Sequence, residues 1–494
     1  MLNENKAQLT GIINNGADLK KSAITAVKWL GFMQVIRQIL SFGVSVTLAR
    51  LLLPRDFGLV GMSAVVIGLA GAMSGLGISA SIIYKKDIDN DHLSSAFWGG
   101  IGFGALLFGI IACIAPIAAQ FYNEPKLYSI IIVASLSFIV NPVISVHVSL
   151  LQKSLRFKEI SLVSLVGFIV SAFISIGLAL SGFGVWSLVL GNLFVSPIAI
   201  LLYWNRVKWK PQFRFKWKKF KELLRFGINI ALQSLLNFGT ANYDYLIIGK
   251  FAGANALGVY TMAYELMTKP LTQISPIITR VLFPAFSKIQ DQDERIRKAY
   301  LKATTFVATV TFPIMAGIYL VADEFILFFY GEKWAGAIPI LKILCIVGAL
   351  KSIGTMVGSI LNAKGRPDIG LKWNIFVLII YIPSFSFAAY YWGVIGVAWA
   401  ILFLSAPLFI IIQTITNRLI GLKFRDYAFS LKYPVLFSAG MILFVTSFKK
   451  LALTYTSEYY LILLFTVFIG IISYSLLMYL FNRPLVYEFR SFIK

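Results

Sequence analysis

Fourteen apolar stretches of about 20 residues recur along this 494-residue chain, and no other feature limits its fold so tightly. Each is long enough to cross the hydrocarbon core of a bilayer as a helix, at 1.5 Å per residue. They recur too often and too regularly to be the buried helices of soluble domains. In hydrocarbon every backbone N–H and C=O needs a partner inside the protein, so each stretch reads as helix; the short alternating segments of an outer-membrane barrel are absent. The composition agrees: 58% of residues are hydrophobic, 13% are charged, and the mean hydropathy is +0.80. The expected fold is an all-α polytopic membrane protein with about 14 transmembrane helices, at 29–53, 58–83, 94–120, 128–151, 160–181, 184–204, 224–249, 256–286, 300–330, 336–362, 371–391, 394–416, 431–448 and 460–481. Pro270, Pro276 and Pro284 should interrupt or bend the eighth, because proline breaks the helical hydrogen-bond ladder.

Charge orients the spans. Between Trp204 and Arg225 lie nine lysines and arginines and a single acid, Glu222, so this segment stays in water on the cytoplasmic side. Counting cations at span ends with the loops they flank, the segments on that side hold thirty-two lysines and arginines and the opposite side seven. Both termini are then cytoplasmic. The first 28 residues are polar, with no short apolar core before a small-residue cleavage site, and read as a cytoplasmic segment and not a signal peptide. The net charge of +24 belongs to these loops, so no nucleic-acid partner is expected. Cys113 and Cys345 both fall inside apolar stretches, and neither a disulfide nor a metal site is indicated.

The basic segment also marks the middle of a duplication. Ser41-Phe42-Gly43 returns as Asn237-Phe238-Gly239, Phe121-Tyr122-Asn123-Glu124 as Phe329-Tyr330-Gly331-Glu332, and Gly184-Val185 as Gly396-Val397. An internal repeat of a multi-helix membrane unit is a signature of transporters. The expected division is a cytoplasmic segment 1–28, an N-lobe 29–204 of six helices, a basic linker 205–223, a C-lobe 224–417 of six helices, two further helices within 418–481, and a cytoplasmic tail 482–494. The duplicated six-helix lobes would face one another across a central cavity.

Polar residues on the first and seventh spans fall at helical spacing: Gln34, Arg37, Gln38, Ser41 and Ser45 on one, Asn229, Gln233, Asn237, Thr240 and Asp244 on the other. Lipid penalises such a stripe, so each should line a protein interface or a watery cavity. Charges at membrane depth cost on the order of 2.5–3.5 kcal/mol on insertion scales and face a partner or water. Arg37, Asp244, Glu265, Lys269 and Lys351 are the candidates. The alternatives are plain: Arg37 could snorkel, and Glu265 and Lys269, spaced i,i+4, could neutralise one another. A stripe of small residues, Ala64, Gly68, Gly71, Gly75 and Ser79, reads as a site of close helix approach. The series Gly100, Gly102, Gly104 is no phosphate loop, since no strand precedes it. His92 and His147 have no ligand pattern around them.

Several phrases carry a resemblance: Leu48-Ala49-Arg50-Leu51-Leu52 followed by Pro54-Arg55-Asp56-Phe57-Gly58, Asp244 followed by Leu246-Ile247-Ile248-Gly249-Lys250, Leu282-Phe283-Pro284, and Ala363-Lys364-Gly365-Arg366-Pro367. In this order and spacing the chain resembles, over nearly its full length, the Wzx-type polysaccharide flippases of the multidrug/oligosaccharidyl-lipid/polysaccharide (MOP) superfamily, nearest the branch that exports colanic or teichuronic acid-like units. The resemblance implies two six-helix lobes plus two C-terminal helices in the bacterial cytoplasmic (inner) membrane. It implies a flippase, not an enzyme, that moves undecaprenyl-pyrophosphate-linked oligosaccharide to the outer leaflet, with membrane lipids and the polysaccharide polymerase and export machinery as partners. Substrate contacts are expected from Arg37, Lys351, Lys269, Gln233 and Asn237, and cation coupling from Asp244 and Glu265. No cofactor is expected; a proton or sodium gradient is the candidate driving force. A lipid II-type flippase and a cation-coupled multidrug exporter remain the alternatives.

Overall fold

The computed structural model describes residues 16–85, 87–455 and 458–482. Among them every regular element is a helix. The chain forms two compact units, residues 1–246 and 247–494. The first contains α1 (Gly16–Leu51), α2 (Pro54–Ser74), α3 (Ile78–Tyr84), α4 (Asn90–Tyr122), α5 (Lys126–Ser135), α6 (Ser137–Lys153), α7 (Phe157–Leu180), α8 (Val185–Leu193) and α9 (Val195–Arg206). The boundary falls inside α10 (Trp217–Lys288). The second unit continues with α11 (Asp293–Phe325), which runs into a π turn at Ile326–Tyr330, then α12 (Ala337–Ala363), α13 (Pro367–Leu419), α14 (Phe424–Ser430), α15 (Lys432–Tyr455) and α16 (Tyr459–Phe481). The expected tail 482–494 lies, but for Asn482, outside the described residues, as do residues 1–15 of the expected N-terminal segment.

Among the described residues eleven spans are long and apolar enough to cross a membrane, against the fourteen expected, and two of the three differences have a local cause. Ala231–Gln273 and Pro367–Leu419 are each one helix by hydrogen bonding, yet Gly253 (φ 82°, ψ 176°) and Gly393 (φ 62°, ψ −153°) leave helical geometry inside them. Both breaks fall in the gaps between expected spans. The third, 29–53, falls in α1, where the side chains of residues 16–28, 30 and 32 lie outside the described set. Conversely, the expected span 58–83 is interrupted: Leu76 (φ 43°) and Gly77 (φ 61°) make a turn between α2 and α3. A Cβ on Gly77 would lie 2.4 Å from the Cα of Gly227, so this close crossing requires glycine on both sides. Beyond Gly253, α10 stays helical to Lys288, so the prolines do not end it; the side chains of Pro276 and Pro284 are outside the described set.

The duplication is written into the backbone. Helices α4 and α11 with its π turn both end on a buried tyrosine, Tyr122 and Tyr330, followed by a residue of positive φ, Asn123 (56°) and Gly331 (90°). At Leu155 (φ 56°) and Gly365 (φ 67°) two further helices terminate alike. Arg156 N–H reaches back to Leu151 O at 2.9 Å and Arg366 N–H to Leu361 O at 2.8 Å, the 6→1 bond of a Schellman cap. Each arginine then grips a carboxylate just ahead with two nitrogens, Arg156 on Glu159 (2.6 and 2.8 Å) and Arg366 on Asp368 (2.9 and 3.1 Å). One sequence landmark is corrected: Gly184 (φ 55°, ψ −129°) has its counterpart in Gly393, not in Gly396, which is helical. Gly393-Val394 therefore repeats Gly184-Val185.

Small residues set the packing of unit 1. A Cβ on Gly104 of α4 would stand 2.1 Å from the carbonyl oxygen of Phe138 in α6, and one on Gly68 of α2 would enter the ring of Phe238 in α10. In unit 2, α15 and α16 pack on one another and on α11. Leu320, Phe437, Met441, Val445 and Tyr474 form that interface, Tyr474 Oη donates to Thr309 O at 2.8 Å, and Lys449 of α15 closes on the buried Glu324 at 2.8 Å.

Candidate functional site

The polar stripe of α1 lies on the outside of unit 1. Gln34 and Arg37 are exposed, and Gln38, Ser41 and Ser45 are half-buried. The Arg37 guanidinium sits 6.0 Å from the centroid of the Phe168 ring on α7, the outer limit of a cation–π contact. On α10, Gln233 and Asn237 are exposed, whereas Asp244 is buried at 5% exposure and accepts the Tyr245 N–H at 3.0 Å. The expected single stripe therefore divides. Gln233 and Asn237 are open, Thr240 is half-buried and Asp244 is sunk in the protein. The Asn229 side chain lies outside the described residues.

In unit 2, Lys351 is set beside a tyrosine. Ser352 anchors α12 to α11 by accepting the Thr311 hydroxyl at 2.8 Å. Gly348 admits Met315 and Met267 so closely that a Cβ there would be within 3.0 Å of both. That approach brings Lys351 beside α10, where its Nζ is 3.2 Å from Tyr264 Oη and 4.9 Å from the ring centroid. Tyr264 in turn stacks on Tyr260, 5.7 Å between centroids. An ammonium has three donors, so one bond to the phenol leaves Lys351 capacity for an anion. Glu265, next to Tyr264 in the chain, is exposed, and Lys269 one turn on is half-buried. Arg37, Gln233, Asn237 and Asp244 belong to unit 1; Lys351, Lys269 and Glu265 belong to unit 2. The aromatic partners Phe168 and Tyr264 escaped the sequence reading, because a partner on another helix leaves no mark in helical spacing.

A second cluster was also missed. His92, assigned no role from sequence, is buried at 2% exposure between two acids: its Nδ1 is 2.6 Å from Asp89 and its Nε2 3.2 Å from Glu222. Around it the basic linker is tied to the loop between α3 and α4 by Lys85–Glu222, Lys216–Asp91 (2.5 Å) and Lys219–Asp89 (3.0 Å). Partial burial pushes the Asp89 carboxyl up, but the His92 N–H, Lys219 and the His92 ring outweigh it and hold it below the usual range. Lys85, then His92, hold Glu222 down to about 2. A carboxylate lowered from 4.5 to about 2 stabilises the fold fully above 4.5, and the contribution is lost as pH falls toward 2. The thermal midpoint of the solubilised protein should therefore drop across that window, and Glu222→Gln should flatten part of the drop. An unchanged slope in the variant would remove Glu222 from the effect. The signal in the sequence was Asp87, Asp89 and Asp91, an acidic run in a loop facing a linker of cations.

Residues 47–339 match the family described as polysaccharide biosynthesis protein. The lipopolysaccharide biosynthesis protein WzxC of Escherichia coli (strain K12) is 33% identical over 435 residues, covering 84% of this chain and 85% of that protein. The chain belongs to the polysaccharide biosynthesis protein family. Another relative, the teichuronic acid biosynthesis protein TuaB of Bacillus subtilis (strain 168), is also 33% identical, over 74% of this chain and 76% of its own length. Among solved structures, the lipid II flippase MurJ in an inward closed conformation superposes with a TM-score of 0.73 at 15% identity, over 92% of this chain and 99% of that one. An inward-facing multidrug resistance MATE transporter of the MOP superfamily reaches 0.60 at 17% identity, over 80% of this chain and 98% of its own. At such identities the structures speak for the fold, and it is the fold of polytopic membrane transporters. The resemblance to Wzx-type polysaccharide proteins is borne out by the family and its relatives.

Proposed function

We propose that this multi-pass membrane protein is a flippase that carries undecaprenyl-pyrophosphate-linked oligosaccharide across the bacterial cytoplasmic membrane by alternating access, for surface polysaccharide biosynthesis. The observation that carries the reading is the 33% identity to WzxC and TuaB, both named for polysaccharide biosynthesis. A multidrug exporter is less well supported, since its likeness stops at fold with 17% identity. No bond of the substrate is made or broken; the outer leaflet receives the unit, where a polymerase and export machinery consume it.

The physical problem is the head group. A pyrophosphate carries about two charges, and withdrawing them from water is tolerable only where fixed cations replace the hydration. Arg37 and Lys351 supply one cation in each unit, Lys269 a third, and Gln233 and Asn237 add neutral hydrogen bonds suited to sugar hydroxyls. Asp244 and Glu265 are the candidate sites for a coupling proton or sodium ion. Replacing Asp244 with asparagine should lower transport several-fold and blunt its response to the ion gradient; normal transport with an unaltered response would exclude that role for Asp244. The prenyl tail stays in lipid, against apolar faces such as Leu464, Phe468 and Ile471 of α16, each over 60% exposed.

The orientation follows from the charge partition. Reporter fusions at Lys216 and Asp426 should report cytoplasm, and fusions at Asn123 and Gly253 the opposite side; an external signal at Lys216 overturns it. The function itself is tested by expressing the gene in a strain lacking its own repeat-unit flippase. Restored surface glycan is expected, and continued accumulation of lipid-linked units at normal protein levels contradicts the proposal.

A further inference from the structure

Unit 1 holds a feature that the transport reading leaves unused. An open groove of about 860 Å³ runs between α4 and the start of α10. Gly99, Gly102 and Leu106 form its floor, Trp217 and Phe220 a wall, and Lys221 and Arg225 stand at its edge. The groove is preformed. Phe220 is buried and lies on Gly99, where a Cβ would come 2.3 Å from its ring. The linker that carries the wall is pinned by Trp98 Nε1 donating to Gln212 O (2.8 Å), Lys216 N–H donating to Ser95 Oγ (2.9 Å) and Ser81 Oγ donating to Leu223 O (2.8 Å). A Cβ on Gly102, by contrast, meets nothing within 4 Å, so the floor is vacant there.

Charge decides what fits. Two neighbouring linker cations are already neutralised, Lys216 by Asp91 and Lys219 by Asp89, and Lys218 does not line the groove. Lys221 and Arg225 are exposed and have no ion pair among the described residues. Four residues apart on one helix, they share a face. Arg225 is the last charged residue of α10 before an uncharged run that reaches Tyr243, so both cations stand at the end of a membrane span, at headgroup depth. A carbon-lined trough that ends in two free cations matches a molecule with an acyl chain and an anionic head. A soluble anion would have no use for the trough.

We propose that this groove is a binding site for an anionic phospholipid, with one acyl chain lying over Gly102 and Leu106 and the phosphodiester between Lys221 and Arg225. The site is separate from the candidate transport residues and stands whether or not that reading holds. Trp98 and Trp217 line it and report on it. Purified full-length protein in neutral-lipid nanodiscs is titrated with brominated phosphatidylglycerol and, separately, brominated phosphatidylcholine, reading tryptophan quenching. The phosphatidylglycerol is expected to quench at a mole fraction at least fivefold lower. The double variant Lys221→Gln/Arg225→Gln should bring that ratio near one, and Gly102→Leu, which fills the floor without a clash, should weaken quenching by both lipids. The saturable component should disappear in Trp98→Phe/Trp217→Phe. Equal quenching by the two lipids in the unaltered protein, or a preference that survives the double variant, overturns the proposal. So does displacement by millimolar inorganic phosphate with no effect of Gly102→Leu, which would assign the cations to a free anion. Stronger competition by undecaprenyl phosphate than by phosphatidylglycerol would give the groove to the carrier lipid and equally overturn it.

Discussion

Export of surface glycan is expected to fall about tenfold or more when Arg37 or Lys351 is replaced by alanine at matched protein levels. A hydrogen bond to a charged group contributes roughly 1.5–3 kcal/mol, and each 1.4 kcal/mol is about a factor of ten. The surroundings of the two cations predict different tolerance of conservative change. Arg37 faces Phe168 with a flat guanidinium and can grip a phosphate with two nitrogens, so Arg37→Lys gives up both the fork and part of the ring contact. Lys351 acts as a point charge held by Tyr264, and arginine preserves the charge and the ring contact. Arg37→Lys should therefore be the more damaging exchange. Tyr264→Phe keeps the ring while removing the phenol, and should cost less than Tyr264→Leu. Full export by both alanine variants would remove electrostatic recognition and leave the family and fold untouched.

A large effect on folding is expected at Gly104. A side chain there meets the main-chain carbonyl of Phe138, and Pro142 stands behind it at 3.4 Å. A carbonyl oxygen in a helix cannot rotate aside, so Gly104→Val must push α4 and α6 apart. Overpacking of this kind costs about 1–3 kcal/mol where side chains yield, and more is expected where the backbone must. Gly102→Val, two residues away, faces open space and serves as the control for helix propensity and bulk. Purified yield and thermal midpoint should collapse for the first and stay near the parent for the second; equal behaviour would show that the close approach does not govern packing.

These contrasts show which properties the sequence could reveal. Hydropathy found the spans because solvent transfer is local to each stretch, and even the breaks at Gly253 and Gly393 fell where the hydropathy pattern left gaps. The repeat was legible at Asn123/Gly331, where a helix end needs the same positive φ twice. It slipped by three residues at Gly396 because dipeptide identity cannot tell a helical glycine from one outside the helix. Small-residue spacing pointed to close approach along α2, and Gly68 makes one, but Gly75 meets nothing within 4 Å. Which glycine touches what depends on the rotation of the neighbouring helix. The candidate residues were found by the cost of polarity in lipid, which names them without naming their partners. Hence Lys351 was visible and Tyr264 was not, and spacing put Asp244 on one stripe with Gln233 and Asn237 although they are exposed and it is buried. The linker was read for orientation alone, while its contacts with His92, Asp89 and Asp91 required the fold.

Translocation in a purified system tests the central claim most directly. The protein is reconstituted into liposomes loaded on both leaflets with labelled undecaprenyl-pyrophosphate-oligosaccharide, and a membrane-impermeant glycosidase is added outside. A flippase lets the enzyme consume nearly all of the label, faster under an imposed ion gradient, while protein-free liposomes stop near half. Digestion that stops near half in vesicles shown to contain folded protein, with and without proton and sodium gradients, would contradict it.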